Sequence, residues 1–238
     1  MQDLRELHND IHREARMLLR AARVGSLAVL EDDYPALALV TPAVALDGAV
    51  ILLLSQLSAH TRALDRDPRC ALMVSGEASE RNPQTAARLS LVCDATRSDD
   101  PADRARYLAI HPYAEFYAGY TDFGVYRLEP VAARYVGGFA RAATLSVDRL
   151  APVTEALNNA DAAAAAIAAA NGAQAARLDA IAARHGGEGA GWRVATLDPD
   201  GFDLVREAVV LRLGFRRGLR VYDDFMTELA TDPRFADA

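Results

Sequence analysis

The chain has 238 residues, which suit one large domain or two small ones. Its 26 basic and 33 acidic residues give a net charge of -7, which argues against an extended nucleic-acid surface. The N-terminus is charged and lacks an apolar signal core, and no later run reaches membrane-spanning length, so we expect a cytoplasmic protein with no membrane or nucleic-acid partner.

The first 140 residues combine a long helix with several short strands. Apolar residues three or four positions apart predict a helix over 3–23. Predicted strands cover 26–31, 36–45, 50–55, 69–75, 89–97, 125–128 and 133–136, and further helices cover 59–67 and 101–110. Pro42 lacks an N–H, so the strand over 36–45 should be interrupted at Thr41 and Pro42. Seven short strands with few helices favour a small β-barrel.

The junction between the strand at 50–55 and the next helix looks like an anion-binding corner. Ser55 ends an apolar run, and Ser58 is a good N-cap for a helix whose first turn carries His60, Thr61 and Arg62. Free backbone N–H groups and the helix dipole favour a phosphate there, and a guanidinium can donate two hydrogen bonds to it. The alternative is an ordinary helix start in front of solvent.

The composition changes near residue 145, where we place a domain boundary between 1–145 and 146–238. The segment Ala162–Ala170 is alanine apart from Ile167, which favours a helix that faces solvent or packs loosely. Strands at 192–197, 202–205 and 209–215 follow, and Val221, Phe225 and Leu229 form one stripe on a final helix. The second part is therefore expected to be a small α+β domain.

Cysteines and histidines give no clear metal site. Cys70 and Cys93 fall in strands without close partners, so two buried free thiols are expected. His8 and His12 lie one turn apart on the first helix, but their polar neighbours indicate a solvated face. His111 precedes Pro112 at a helix end, where an imidazole can cap carbonyl groups.

Four segments carry a resemblance to a known family. They are ALVTPAVALDG at 38–48, LLLSQLSAHTRALDRDPRCALMV at 52–74, RARYLAIHPYAEFYAGYTDFGVYRLEP at 104–130 and RYVGGFARAATL at 134–145. In order and spacing they resemble the pyridoxamine phosphate oxidase-like FMN-binding split barrels, specifically the heme-utilisation branch with a C-terminal α+β domain. The resemblance therefore implies an α+β protein, a split β-barrel followed by a small α+β domain.

The resemblance also implies a homodimer with a small-molecule site between the subunits, where FMN is the expected cofactor. The residues implied to bind it are Thr41, Ser55, Ser58, His60, Thr61, Arg62, Gly138 and Arg141, the last two within the Gly137–Arg141 stretch. An FMN-dependent oxidoreductase is the first expectation, although no catalytic acid or base is identifiable. The alternative is a heme-binding or heme-utilisation protein that stores, transfers or degrades heme.

Departures from the family pattern narrow these expectations. Ala63 stands where relatives usually have Asn, and the region 157–162 lacks the His of a Met-Asn-x-Asp-His pattern. Elements typical of true pyridoxamine phosphate oxidases near their C-terminus are also missing, so vitamin B6 oxidation is not expected. Heme binding needs an axial ligand, usually His. His111 is the better candidate because His60 would contact the phosphate.

Overall fold

The computed structural model describes residues 4–78, 80–138, 141–151 and 154–235, with side chains from residue 11 onward. The chain folds into two compact units, Met1–Tyr107 with Glu115–Ala151, and Leu108–Ala114 with Pro152–Ala238. The division into domains 1–145 and 146–238 stays a prediction from the sequence.

The first part of the chain forms one antiparallel sheet with helices around it. Its elements are α1 (Leu4–Ala21), β1 (Gly25–Glu31), β2 (Tyr34–Val40), β3 (Ala43–Val44), β4 (Val50–Ser55), α2 (Ala59–Arg66), β5 (Arg69–Ser75), β6 (Arg88–Ser98), α3 (Pro101–Ile110), α4 (Glu115–Ala118), β7 (Phe123–Val136) and β8 (Ala142–Leu145). The strand order is β2-β1-β5-β6-β7-β4-β3, and β8 pairs with β7. The fold is a split β-barrel of the α+β class, as expected.

Burial explains why these strands form. The first five residues of β4 are all buried, which confirms a strand covered on both faces. The strand β1 instead alternates, with Leu27 and Val29 inside and Leu30 outside. The predicted break at Thr41 and Pro42 is confirmed, because β2 ends at Val40 and β3 begins at Ala43.

Two strand predictions were wrong. The segments 125–128 and 133–136 belong to the single strand β7, which continues through Pro130. A register shift opposite Val92 and Cys93 on β6 absorbs the proline, as bulges commonly do. The strand β8 was missed because its short Ala-Ala-Thr-Leu sequence has no strong alternation; pairing with β7 creates it.

The second unit contains a three-stranded sheet and helices. Its elements are α5 (Ala160–Ala173), α6 (Ala175–Arg184), β9 (Arg193–Asp198), β10 (Gly201–Arg206), β11 (Val209–Gly214) and α7 (Phe225–Thr231), with β10 as the central strand. Its core contains the rings of Phe202, Phe215, Phe225 and Phe235, each at most 1% exposed. The rings of Phe202 and Phe225 make an edge contact with centroids 5.2 Å apart.

Two expectations for this unit require correction. The alanine-rich helix α5 is not simply solvent-facing, since Ala163, Ala166 and Ala170 are buried. Small side chains let it approach β9, where Asn171 Nδ2 donates to the Val194 carbonyl at 3.0 Å. Val221 precedes α7 and is 39% exposed, so only Phe225 and Leu229 of the predicted stripe are buried.

The remaining sequence expectations concern thiols and membranes. Cys70 and Cys93 are buried and free, as predicted, and they face each other across β5 and β6. Within the described part of the chain, every helix is too short or too polar to cross a membrane.

Candidate functional site

Four of the predicted site residues meet at the end of β4. An open pocket of about 180 Å³ is lined by Leu39, Val40, Thr41, Leu52, Leu53, Leu54, Ser55, Ser58, His60 and Phe123. Register places Phe123, the first residue of β7, directly opposite Ser55. Thr41, Ser55, Ser58 and His60 are therefore brought together as the sequence suggested, against an apolar wall.

Two of these hydroxyl groups already have partners. The Thr41 Oγ1 and Tyr107 hydroxyl oxygens lie 2.7 Å apart, within hydrogen-bond distance. Ser55 Oγ donates to Asp122 Oδ2 at 2.6 Å and accepts from the Leu57 N–H at 3.1 Å. Asp122 lies within the segment 104–130 that carries the family resemblance, but it occupies a turn, where an aspartate gives no signal of a site, so the sequence assigned it no role. It holds the Ser55 hydroxyl, so Ser55 is not available to a ligand in this arrangement.

The first turn of α2 presents unused hydroxyl groups. Ser58 is the N-cap residue but makes no capping hydrogen bond through its side chain, and the turn has no acidic residue. Thr61 is fully buried, and among the described residues its Oγ1 has no hydrogen-bond partner. Arg62 is exposed and donates to the Leu57 carbonyl at 2.6 Å. The Arg62 guanidinium therefore holds the preceding loop.

His60 is the second residue of α2 and lines the pocket while half-buried. Its imidazole makes no hydrogen bond to any residue that the structure describes. Burial lowers its pKa, and the negative charge of Glu31 opposes that change only in part. A neutral imidazole facing the pocket is the result.

A second pocket shares the lining residue Phe123 with the first. It measures about 320 Å³ and is lined by Arg97, Ser98, Asp99, Asp100, Pro101, Arg104, Phe123, Gly124 and Val125. The Arg97 guanidinium lies over Gly124, because a Cβ at residue 124 would be 3.4 Å from the Arg97 Cζ atom. Arg104 donates to the Ala118 carbonyl. Sequence reasoning missed Arg97 because an arginine near a strand end is common; pairing with Tyr126 of β7 brings it here.

Gly138 and Arg141 lie elsewhere in the chain. They follow the last residue of the 14-residue strand β7, whereas Phe123 is its first residue. Gly138 has a φ of +106°, which favours glycine, and Arg141 pairs with Glu14 of α1 at 3.0 Å. Phe139 and Ala140 of the same predicted stretch lie outside the described residues. A single subunit therefore does not bring these two residues to the pocket.

The other histidines do not line either pocket. His111 is 1% exposed, and its Nδ1 lies 3.3 Å from the Tyr113 hydroxyl. His12 is buried and its Nε2 accepts from the Ser146 N–H at 3.3 Å, so its predicted solvated face is wrong. The structure does not describe the His8 side chain. Of the histidine side chains described, His60 is thus the one that lines either of these two pockets.

Comparison with known proteins gives sequence and structural relatives. No family model matches the chain. It is 36% identical over 135 residues to the chloroplastic heme oxygenase HOZ of Arabidopsis thaliana; the match covers 54% of this chain and 41% of HOZ. This chain therefore spans less than half of that relative.

Two solved structures match nearly the whole chain. A protein of unknown function from Agrobacterium tumefaciens has 26% identity and a TM-score of 0.74, with 93% of this chain and 94% of that chain covered. A heme-binding protein from Mycobacterium smegmatis has 28% identity and a TM-score of 0.57, with 92% and 93% covered. Both matches include residues of the split barrel and of the second unit.

Proposed function

Because this chain belongs to the heme-utilisation branch of the pyridoxamine phosphate oxidase-like split-barrel family, we propose that it binds heme in the two adjoining pockets beside Phe123. The observation that carries the proposal is a pocket with one apolar side that shares Phe123 with a second pocket, which is lined by the guanidinium of Arg97. Heme is a flat apolar ring with two carboxylates on one edge, so a heme site needs an apolar surface beside a positively charged group. Two of the relatives described above are a heme-binding protein and a heme oxygenase.

The residues of the cleft fit that chemistry. Leu39, Leu53 and Phe123 offer an apolar wall for the ring. Arg97 and Arg104 offer donors for carboxylates in a lining that also contains Asp99 and Asp100, and the Arg97 side chain forms no hydrogen bond within the described residues. Bound heme would supply an iron centre that can take a further ligand. The chain's own contribution is to exclude water from the ring and to hold its charged edge.

We propose that a second copy of the chain completes the cleft. The pocket beside His60 is open and, at about 180 Å³, smaller than a porphyrin. Its wall residue Leu39 is 74% exposed and belongs to an outward apolar sheet face that also contains Leu30, Leu37, Met73 and Val92. Large exposed apolar patches commonly mark protein interfaces. A homodimer with the cofactor at the interface would cover this face and could bring Gly138 and Arg141 of the other subunit towards the ligand.

The heme proposal is tested by titrating the purified protein with hemin and with hemin dimethyl ester, which lacks the two charges. We expect saturable hemin binding, weakened about tenfold in Arg97→Gln, which corresponds to about 1.4 kcal/mol. Binding of the ester should be the same in both proteins. Arg66→Gln is the matched control, because Arg66 is an exposed arginine at the end of α2. Absence of saturable hemin binding by the wild-type protein would refute the proposal.

FMN is the second candidate ligand, and Thr61 is the observation that favours it. A buried hydroxyl without a partner among the described residues, beside an uncapped helix start, suits a phosphate. The neighbouring Asp122 carboxylate works against an anion at Ser55. Preference for FMN over riboflavin, lost in Thr61→Val, would support an FMN-dependent oxidoreductase; equal binding of both flavins would count against it. The cytoplasmic location stays a prediction.

A further inference from the structure

The His60 imidazole lies in a pocket wall that combines apolar side chains with the hydroxyl residues Thr41, Ser55 and Ser58. It lines the pocket together with Leu53 and Phe123 and makes no hydrogen bond within the described part of the chain. A half-buried imidazole of this kind gives up water without gaining a protein partner, which costs free energy. A ligand that accepts the imidazole lone pair would offset this cost.

We propose that His60 is the axial ligand of the heme iron in this cleft, an inference that rests on the heme binding proposed above. Neutral imidazole is a common iron ligand in heme proteins. His60 lines the pocket that shares a lining residue with the pocket of Arg97 and Arg104, so His60 would hold the iron while these arginines would hold the carboxylates. The two pockets meet at Phe123, which lines both.

The backbone that carries His60 is held in place. The Ser58 N–H donates to the Ser55 carbonyl at 3.0 Å, and the Arg62 side chain donates to the Leu57 carbonyl. The Gln56 N–H donates to the Asp122 carbonyl at 2.7 Å, which ties this loop to the start of β7. A ligand on such an anchored turn keeps its direction towards the pocket.

Other candidate iron ligands are less well placed. His111, the sequence-based candidate, is buried and within hydrogen-bond distance of Tyr113. Cys70 and Cys93 are buried in the barrel core, and burial raises the pKa of both thiols. Met73 is exposed on the sheet face and does not line either pocket.

The test compares hemin with metal-free protoporphyrin IX in wild-type protein, His60→Ala and His185→Ala. His185 is an exposed histidine of the second unit and serves as the matched control. We expect His60→Ala to shift the Soret maximum and to weaken hemin binding by about tenfold or more. Affinity for the metal-free porphyrin should stay unchanged, because iron ligation contributes nothing there. Added imidazole should restore the Soret position in His60→Gly.

Each alternative outcome has a separate meaning. If wild-type protein binds hemin and His60→Ala keeps the Soret maximum and affinity, His60 is not the ligand, although heme binding stands. Equal loss of hemin and protoporphyrin would show that His60 only shapes the pocket, which also overturns the proposal. If the wild-type protein binds neither porphyrin, the heme function itself fails and the ligand assignment fails with it.

Discussion

At the anion-binding corner between β4 and α2, neighbouring hydroxyl groups differ in their hydrogen-bond partners. Ser55 donates to Asp122, so its hydroxyl is satisfied within the chain. Thr61 is buried and lies three positions after Ser58, the N-cap residue, whose side chain makes no capping hydrogen bond. No described residue forms a hydrogen bond with the Thr61 Oγ1 atom. A buried hydroxyl without a partner lowers stability, and such a cost is common where a site awaits a ligand.

Thr61→Val should therefore raise the free energy of unfolding of the ligand-free protein by about 1–2 kcal/mol, because valine keeps the shape and removes the unsatisfied group. Urea denaturation followed by circular dichroism measures the change. Thr96→Val on the exposed face of β6 is the control and should stay within about 0.5 kcal/mol of wild type. Destabilisation in Thr61→Val would mean that its hydroxyl has a stabilising partner.

The two thiols should be unreactive in the folded protein. Burial raises the pKa of Cys70 to about 12, and it raises the pKa of Cys93 as well. Because the thiolate is the reactive form, iodoacetamide should leave both residues unmodified in native protein and modify both after denaturation. Intact mass spectrometry reads the result directly. Labelling of either cysteine without denaturant would contradict the buried position.

Among the elements, the sheet of β9, β10 and β11 contains an ion-pair network. Arg212 on β11 donates to both carboxylate oxygens of Asp198, at 2.6 and 2.9 Å, and lies 3.3 Å from Asp203. Asp198 and Asp203 are at most 1% exposed. Burial alone would lower the pKa of Arg212, but Asp198 and Asp203 raise it above its ordinary value. These contacts stabilise a charged group inside the unit.

Arg212→Met should lower the free energy of unfolding by about 3–5 kcal/mol, because two buried carboxylates lose their cation. The fluorescence of Trp192, the single tryptophan and a buried residue of this unit, reports its unfolding in urea. Arg193→Met removes an exposed arginine from β9 and is the control. Combining Arg212→Met with Asp198→Asn and Asp203→Asn should recover part of the loss. Equal stability of the two arginine variants would contradict this account.

At the scale of the whole molecule, the main unexplained feature is the outward apolar sheet face, to which β1 and β2 contribute. Leu37 is 78% exposed and Leu39 is 74% exposed, on the same side of β2. Leu39 also lines the candidate pocket, so the apolar face and the ligand site are continuous. This continuity links the proposed homodimer to ligand binding, because covering the face would also close the pocket.

Leu37→Asp should convert the proposed dimer to monomer and weaken hemin binding, because it places a charge in the covered face. Sedimentation velocity measures the mass, and a hemin titration of the same sample measures affinity. Val209→Asp makes the same change at an exposed residue of β11 in the second unit and should affect neither. A monomeric wild-type protein would remove this proposal, and an unaltered dimer in Leu37→Asp would place the interface elsewhere.

The sequence by itself determined the local elements and much of the fold class. The apolar run of β4, the glycine and proline breaks and the helix periodicity are short-range signals, so β4, β5 and α3 were predicted with their observed bounds. Four residues that the motifs marked, Thr41, Ser55, Ser58 and His60, line one pocket, and their role in binding a cofactor stays a prediction. These features depend on neighbours in the chain, which the sequence records.

Tertiary structure alone decided which side chains are satisfied within the chain and which face a pocket. Asp122 reaches Ser55 across 67 positions of sequence, and Arg97 reaches Gly124 through the register of β6 and β7. The same register joined two predicted strands into β7 and carried Gly138 and Arg141 away from the pocket. Burial also exchanged the roles of the histidines, since His111 lies inside and His60 faces the cleft. Such outcomes depend on strand pairing and packing between distant segments, which local sequence patterns do not encode.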